Sequence, residues 1–166
     1  MFMDVSHLND PGFWDVIEWS DGPVIASHSN CRSLCDHARN LTDDQIKAIA
    51  DKGGVIGMLH LCFDPKKKTR TVNHLIDHID HIVNLVGVEH VGLGFDFYDY
   101  LIEALSKDEL KQWPEQLWNT LPTDNITKDE EIPGVEEGLI ARGYESADIE
   151  LILGKNFLRI FKEVLR

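Results

Sequence analysis

Thr42-Asp43-Asp44-Gln45-Ile46-Lys47-Ala48-Ile49-Ala50-Asp51-Lys52-Gly53-Gly54-Val55-Ile56-Gly57-Met58-Leu59 contains one complete helix-to-strand unit. Thr42 precedes Gln45 by three residues, the spacing of a capping box, and this predicts a helix over 42–52. Gly53-Gly54 supplies the glycine stop that commonly ends a helix. The run 54–59 is rich in Val, Ile and Met and too short for a helix, so it reads as a strand. The same alternation continues outward in both directions. Phe2–Val5, Pro23–Ser27 and His90–Phe95 read as further strands, and Pro11–Trp19 and Thr71–Val86 as amphipathic helices. The order β-α-β-α-β-α-β implies a parallel sheet with right-handed crossovers, so the expected class is α/β.

Length and composition bound what such a sheet can be. At 166 residues the chain suits one domain, and 43% hydrophobic with 27% charged residues is an ordinary globular balance that excludes disorder and collagen-like repeats. A complete (β/α)8 barrel typically needs about 250 residues, so the chain can hold only part of one. Sixteen basic against 29 acidic side chains give a net charge of −13, which argues against nucleic acid as a partner. No run approaches the roughly 18 apolar residues of a membrane span. Met1-Phe2-Met3-Asp4-Val5 lacks the basic and apolar regions of a signal peptide. Three cysteines (Cys31, Cys35 and Cys62) are an odd count, so the expectation is reduced, partly buried thiols in a cytoplasmic setting.

Beyond Asp96 the pattern loosens. Tyr98–Trp118 has helical spacing interrupted by Pro114, and Leu121–Pro133 reads as a long polar loop of the kind that often forms a lid. Helical spacing returns in Gly134–Arg142, Ser146–Leu153 and Asn156–Leu165, with Ser146 as an expected N-cap. No linker divides the chain, so residues 1–166 are expected to form one domain or one piece of a larger domain.

Parallel α/β folds gather reactive groups at the carboxyl ends of their strands. His7 follows the first strand run, His28 the second, and Asp96 the run through Val91-Gly92-Leu93-Gly94. Two imidazoles and a carboxylate at one rim suit a borderline cation such as zinc. Spacing alone leaves two readings open: a metal hydrolase, or histidines satisfied within the structure. His74, His78 and His81 imitate helical ligand spacing, but they lie off the apolar stripe of Leu75, Ile76, Ile79 and Ile82 and read as a solvated outer face. Lys66-Lys67-Lys68 reads as a solvated turn. His37, Arg39 and His60, beyond strand ends, are further candidates for substrate contacts. Trp14, Trp19, Trp113 and Trp118 are expected to fill core and lid.

At these same residues the chain resembles the membrane (renal) dipeptidase family of zinc peptidases. The matching segments are Asp4-Val5-Ser6-His7-Leu8, Gly22-Pro23-Val24-Ile25-Ala26-Ser27-His28-Ser29-Asn30, Cys35-Asp36-His37-Ala38-Arg39-Asn40-Leu41-Thr42-Asp43-Asp44 and Gly53-Gly54-Val55-Ile56-Gly57. They continue as Asp77-His78-Ile79-Asp80-His81-Ile82, His90-Val91-Gly92-Leu93-Gly94-Phe95-Asp96-Phe97, Gly138-Leu139-Ile140-Ala141-Arg142-Gly143-Tyr144 and Gly154-Lys155-Asn156-Phe157-Leu158-Arg159. The resemblance implies parallel (β/α) units forming the carboxyl-terminal half of a TIM-type barrel, with extra carboxyl-terminal helices. It implies a metallodipeptidase with two zinc ions, in which His7 and His28 are ligands of the second zinc. Arg39 then binds the carboxylate of the dipeptide, and Asp96 lies at the metal centre and handles protons.

The family's first-strand His-x-Asp ligands, its bridging glutamate and a carbonyl-polarising histidine have no counterpart in this chain. Leu59-His60-Leu61 stands where the family often has Asn-Phe-Tyr, and Phe95-Asp96-Phe97-Tyr98-Asp99 where it has Ser-Asp-Phe-Asp-Gly. Met1 opens almost inside a strand, which gives the expectation of a truncated or split chain, inactive alone. Such a chain would act with a missing amino-terminal half or by self-association. The competing expectation is a non-catalytic half-barrel remnant serving as a binding or structural module.

Overall fold

A computed structural model describes residues 1–62, 71–97, 100, 104–110, 112, 121–122 and 129–165. Four short strands carry the architecture: β1 (Met3–Asp4), β2 (Val24–Ile25), β3 (Ile56–Met58) and, later in the chain, β5 (Val91–Leu93). β1 pairs with β2 and β3 with β5, both parallel, and a parallel bridge between Ala26 and Ile56 joins the two ladders. The helices between them are α1 (Asp10–Trp19), α2 (Asp43–Asp51) and α3 (Val72–Val86). The expected α/β class and parallel strand order are therefore present.

Local chemistry explains the elements. Asn9 caps α1 by accepting from the Gly12 N–H, with Pro11 in the first turn. In α2 the Thr42 side chain accepts from Gln45 N while Gln45 reaches back to Thr42 N, so both halves of the capping box form. Gly53 then takes a φ of +72°, which glycine adopts without a Cβ clash, and turns the chain into β3.

Side chains alternate across the strands and divide the core in two. Val24, Ala26, Ile56, Met58 and Val91 join Phe13, Ile46, Ile49, Ile76, Ile79 and Ile82 in the main cluster, against α1–α3. Ile25 and Val55 belong to a second cluster with Ile160, to which Phe2, Phe157 and Val164 add. Ile160 and its neighbours come from the closing helices: α5 (Pro133–Arg142), α6 (Ser146–Glu150), a π-type stretch (Leu151–Lys155) and α7 (Asn156–Val164). Asn156 donates to the carbonyls of Val88 and Val91, and Arg159 to those of Gly53 and Glu89. These carbonyls stand at or near the amino ends of β3 and β5, so the tail closes the end of the sheet opposite the predicted site.

Several expectations need correction. His78 is buried and its Nδ1 accepts from Cys31 N, while His81 Nε2 lies 2.8 Å from Asp43 Oδ1 and 3.1 Å from Ser33 Oγ. This side of α3 is an interface with the segment after β2, because a turn around Cys31 and the start of α2 pack over it. Trp14 and Trp19 are exposed, since the buried stripe of α1 is Phe13, Val16 and Ile17 and both tryptophans fall off it. Glu145, not Ser146, precedes α6: its carbonyl accepts from Asp148 and Ile149, which makes Ser146 the first helical residue. An antiparallel pair, β4 (Leu61–Cys62) with β6 (Leu121–Pro122), was not anticipated. Among the described residues of the expected helix 98–118 is a four-residue helix, α4 (Lys107–Leu110). Residues 123–128 of the expected lid, Lys66–Lys68, Trp113, Trp118 and the Cys62 side chain lie outside the described residues.

Candidate functional site

The strands end on a common rim. Two residues past β1 the chain turns, Leu8 N donating to Val5 O, and His7 is held there at a φ of +71°. Asp96, past β5, sits at +51°. They are the described non-glycine residues in the left-handed region, where an L-residue costs about 1–2 kcal/mol. Such strain persists only where surrounding structure imposes it, and it concentrates at functional sites. His28 follows β2, whose extension is fixed by backbone hydrogen bonds from Gly57 N to Ala26 O and from Ser29 N to Gly57 O. Arg39 comes from the loop before α2, where His37 Nδ1 accepts from Arg39 N.

These four side chains converge. His7 Nε2 and His28 Nε2 are 2.8 Å apart, with ring centroids at 4.9 Å. Arg39 Nη2 lies 3.2 Å from His7 Nε2, and Asp96 Oδ2 lies 3.8 Å from His28 Nε2. Residues 7, 28, 39 and 96 therefore meet although they come from four separate segments.

His60, at the end of β3, does not join them: it is buried, its ring 4.9 Å from that of Phe97 and 6.1 Å from that of Phe95. The aromatic residues on either side of Asp96 close over it. Four polar residues missed in the sequence support the rim instead. The Asp4 carboxylate accepts from Ser6 N (3.0 Å), Ser27 N (3.0 Å) and Ser27 Oγ (2.5 Å). Ser6 Oγ accepts from His28 N at 3.0 Å. Buried Asn30 donates to Leu59 O and Leu61 O and accepts from Leu59 N, fastening the loop after β2 to that after β3. The one signal available was alternation, which sets Asp4 and Ser6 on one side of their strand.

Electrostatics disfavour a positive charge on the His28 ring. Burial lowers the pKa of His28; Asp96 opposes this, while Arg39 and His7 reinforce it. Burial also lowers that of Arg39, against Asp96 and Asp4, yet a guanidinium remains charged. Burial works against ionisation of Asp4, but the hydrogen bonds from Ser27 and Ser6 outweigh it and hold the carboxyl below its usual value.

The donor set fits part of a metal site. Two nitrogens that each reach zinc at about 2.0–2.1 Å can be no more than about 4.2 Å apart, and His7 and His28 meet that condition. Arg39 can only donate, so in this contact His7 Nε2 carries no proton and accepts. A cation between the rings would satisfy both nitrogens. Among the described residues no group of three or more His, Cys, Asp or Glu side chains is arranged to hold a metal, so the two imidazoles are an incomplete set.

Comparison with known proteins gives the chain a family. Residues 1–166 match the model of the membrane dipeptidase family, peptidase family M19. The chain is 35% identical over 169 residues to an uncharacterized protein in the pqqA 5′ region of Klebsiella pneumoniae, covering 99% of this chain and 55% of that protein. Among solved structures it is similar to an amidohydrolase from Pseudomonas aeruginosa, with a TM-score of 0.85, 26% identity, and coverage of 99% of this chain and 52% of that one. It is also similar to a metallo peptidase from Rhodobacter sphaeroides liganded with a phosphinate mimic of the dipeptide L-Ala-D-Ala. There the TM-score is 0.78 and the identity 25%, over 96% of this chain and 41% of that one. The chain spans about a third to just over half the length of the curated relatives it matches.

Proposed function

The chain belongs to the membrane dipeptidase family, peptidase family M19, and on that premise we propose that it contributes half of a zinc dipeptidase centre. In this reading residues 1–166 form one domain, the carboxyl-terminal half of a TIM-type barrel. His7 and His28 hold one zinc ion of a pair. The remaining donors come from an amino-terminal half or from a second copy of the chain, because tight zinc sites use three or four protein ligands. The observation that carries the reading is the convergence of His7, His28, Arg39 and Asp96 within steps of 2.8 to 3.8 Å.

When bound, a zinc pair supplies Lewis acidity, which polarises a carbonyl and lowers the pKa of water from 15.7 to about 7. The protein's own groups do the rest. Arg39 presents its planar guanidinium to the terminal carboxylate of a dipeptide, for which a bidentate contact gives orientation as well as energy. Asp96, exposed at the rim and 3.8 Å from His28, accepts a proton and returns it to the leaving amine. A depressed pKa keeps His28 neutral, the state in which an imidazole can ligate.

Zinc analysis and dipeptide turnover test the proposal. The purified chain is expected to take up zinc when loaded with it, and tight retention and turnover are expected once the missing donors are supplied by an amino-terminal half in trans. Full turnover by the zinc-loaded monomer would overturn the need for outside donors. Neither zinc nor turnover in any combination would overturn the peptidase reading. It would favour the alternative, a non-catalytic half-barrel module, for which the incompleteness of the donor set is the supporting observation.

A further inference from the structure

We propose that Asp4 and Ser27 are positioning residues that fix the His28 ring with its proton on Nδ1 and its bare Nε2 turned into the site. Asp4 Oδ2 lies 2.5 Å from Ser27 Oγ, which in turn lies 2.8 Å from His28 Nδ1. A carboxylate can only accept, so the single hydroxyl proton of Ser27 goes to Asp4. The hydroxyl oxygen then offers His28 a lone pair, and the proton in that second bond must belong to Nδ1. A neutral ring so protonated has a bare Nε2, and this is the atom 2.8 Å from His7 Nε2.

Ser27 itself has little freedom. Its backbone N–H donates to Asp4 Oδ1 at 3.0 Å. Its carbonyl oxygen is approached by Gly57 and Gly94, where an added Cβ would come within 2.1 and 1.8 Å of it. Two neighbouring strands thus close on Ser27 because they carry no side chain there. Ser6 holds the other end of the unit, accepting from His28 N through its hydroxyl. Arg39 completes the arrangement from the far side by donating to His7 Nε2. The relay and the guanidinium together leave both Nε2 atoms, 2.8 Å apart, without a proton. That is the state a cation needs, and a carboxylate behind the serine raises the basicity of the ring.

Only the metal-affinity part of this inference rests on the proposed function; the proton position does not. Long-range ¹H–¹⁵N correlation spectra of the metal-free 166-residue chain are expected to show His28 protonated on Nδ1. Ser27→Ala is expected to move the proton toward Nε2, and Ser27→Thr, which keeps the hydroxyl, to restore it. Titration with zinc alone is expected to show about 10- to 100-fold weaker binding in Ser27→Ala and in Asp4→Asn, with recovery in Ser27→Thr. A wild-type His28 protonated on Nε2 overturns the relay without any variant being folded. So does an unchanged proton position and zinc affinity in a folded Ser27→Ala. If the wild type carries its His28 proton on Nδ1 and Ser27→Ala moves it, but neither zinc binding nor turnover appears even with an amino-terminal half supplied, the relay stands and the dipeptidase proposal falls.

Discussion

In the proposed function Asp96 combines a proton-carrying role with a backbone conformation that an L-residue resists. Its φ of +51° costs a non-glycine residue roughly 1–2 kcal/mol, and its side chain makes no fold-critical contact, being exposed with His28 as its 3.8 Å neighbour. Asp96→Gly is therefore expected to leave the thermal midpoint unchanged or raise it. In the complemented enzyme the same change should lower turnover by about 10²- to 10⁴-fold, the usual worth of a positioned proton carrier. A marked loss of stability with turnover retained would show that Asp96 is structural. His7 carries the same kind of strain, and this is the part of the site the sequence could not display. Residues 7, 28 and 96 are legible as strand-end groups because the sheet is parallel. Their left-handed turns are set by tertiary contacts, and the service of Asp4 and Ser27 behind His28 depends on register, which no spacing rule supplies.

Among the elements, α1 and α2 are joined by a polar clasp rather than by apolar contact alone. Arg32 donates to both oxygens of Asp10 at 2.9 Å, and Gln45 adds a third bond at 3.0 Å. These bonds, that from Arg32 foremost, lower the Asp10 pKa below its ordinary 3.8. The sign follows from linkage: the unfolded chain takes up the proton first, so the stabilisation is present above pH 3.8 and is lost as pH falls through the folded value. Urea unfolding of the wild type and Asp10→Asn should differ near pH 6 and converge toward pH 2. A gap that stays constant over that range would remove the ionic clasp from the account. The helices α1, α2 and α3 were legible from capping and apolar period. The polar side of α3 was not, because His78 and His81 look solvent-facing by period and become an interface only when the turn around Cys31 packs over them. The exposure of Trp14 and Trp19 was equally hidden, since composition says a tryptophan is apolar but not which face of its helix is covered.

For the whole molecule, the candidate site and the closing helices occupy opposite ends of one sheet. Asn156 and Arg159 gather carbonyls at the amino ends of β3 and β5, while His7, His28, Arg39 and Asp96 meet beyond the carboxyl ends. Among the described residues β1 pairs with β2 alone, and Met3, Trp14 and Trp19 near that edge are exposed. The proposed half barrel accounts for both features, because a second half would extend the sheet from β1 and cover α1. The central claim is that two imidazoles from neighbouring strands share one cation. Anomalous diffraction at the zinc edge, from crystals of the zinc-loaded chain, tests it most directly. The account predicts a peak about 2.0–2.1 Å from both His7 Nε2 and His28 Nε2, lost in His28→Ala. A peak bound elsewhere, or the two rings turned away from each other with no metal between them, would contradict it.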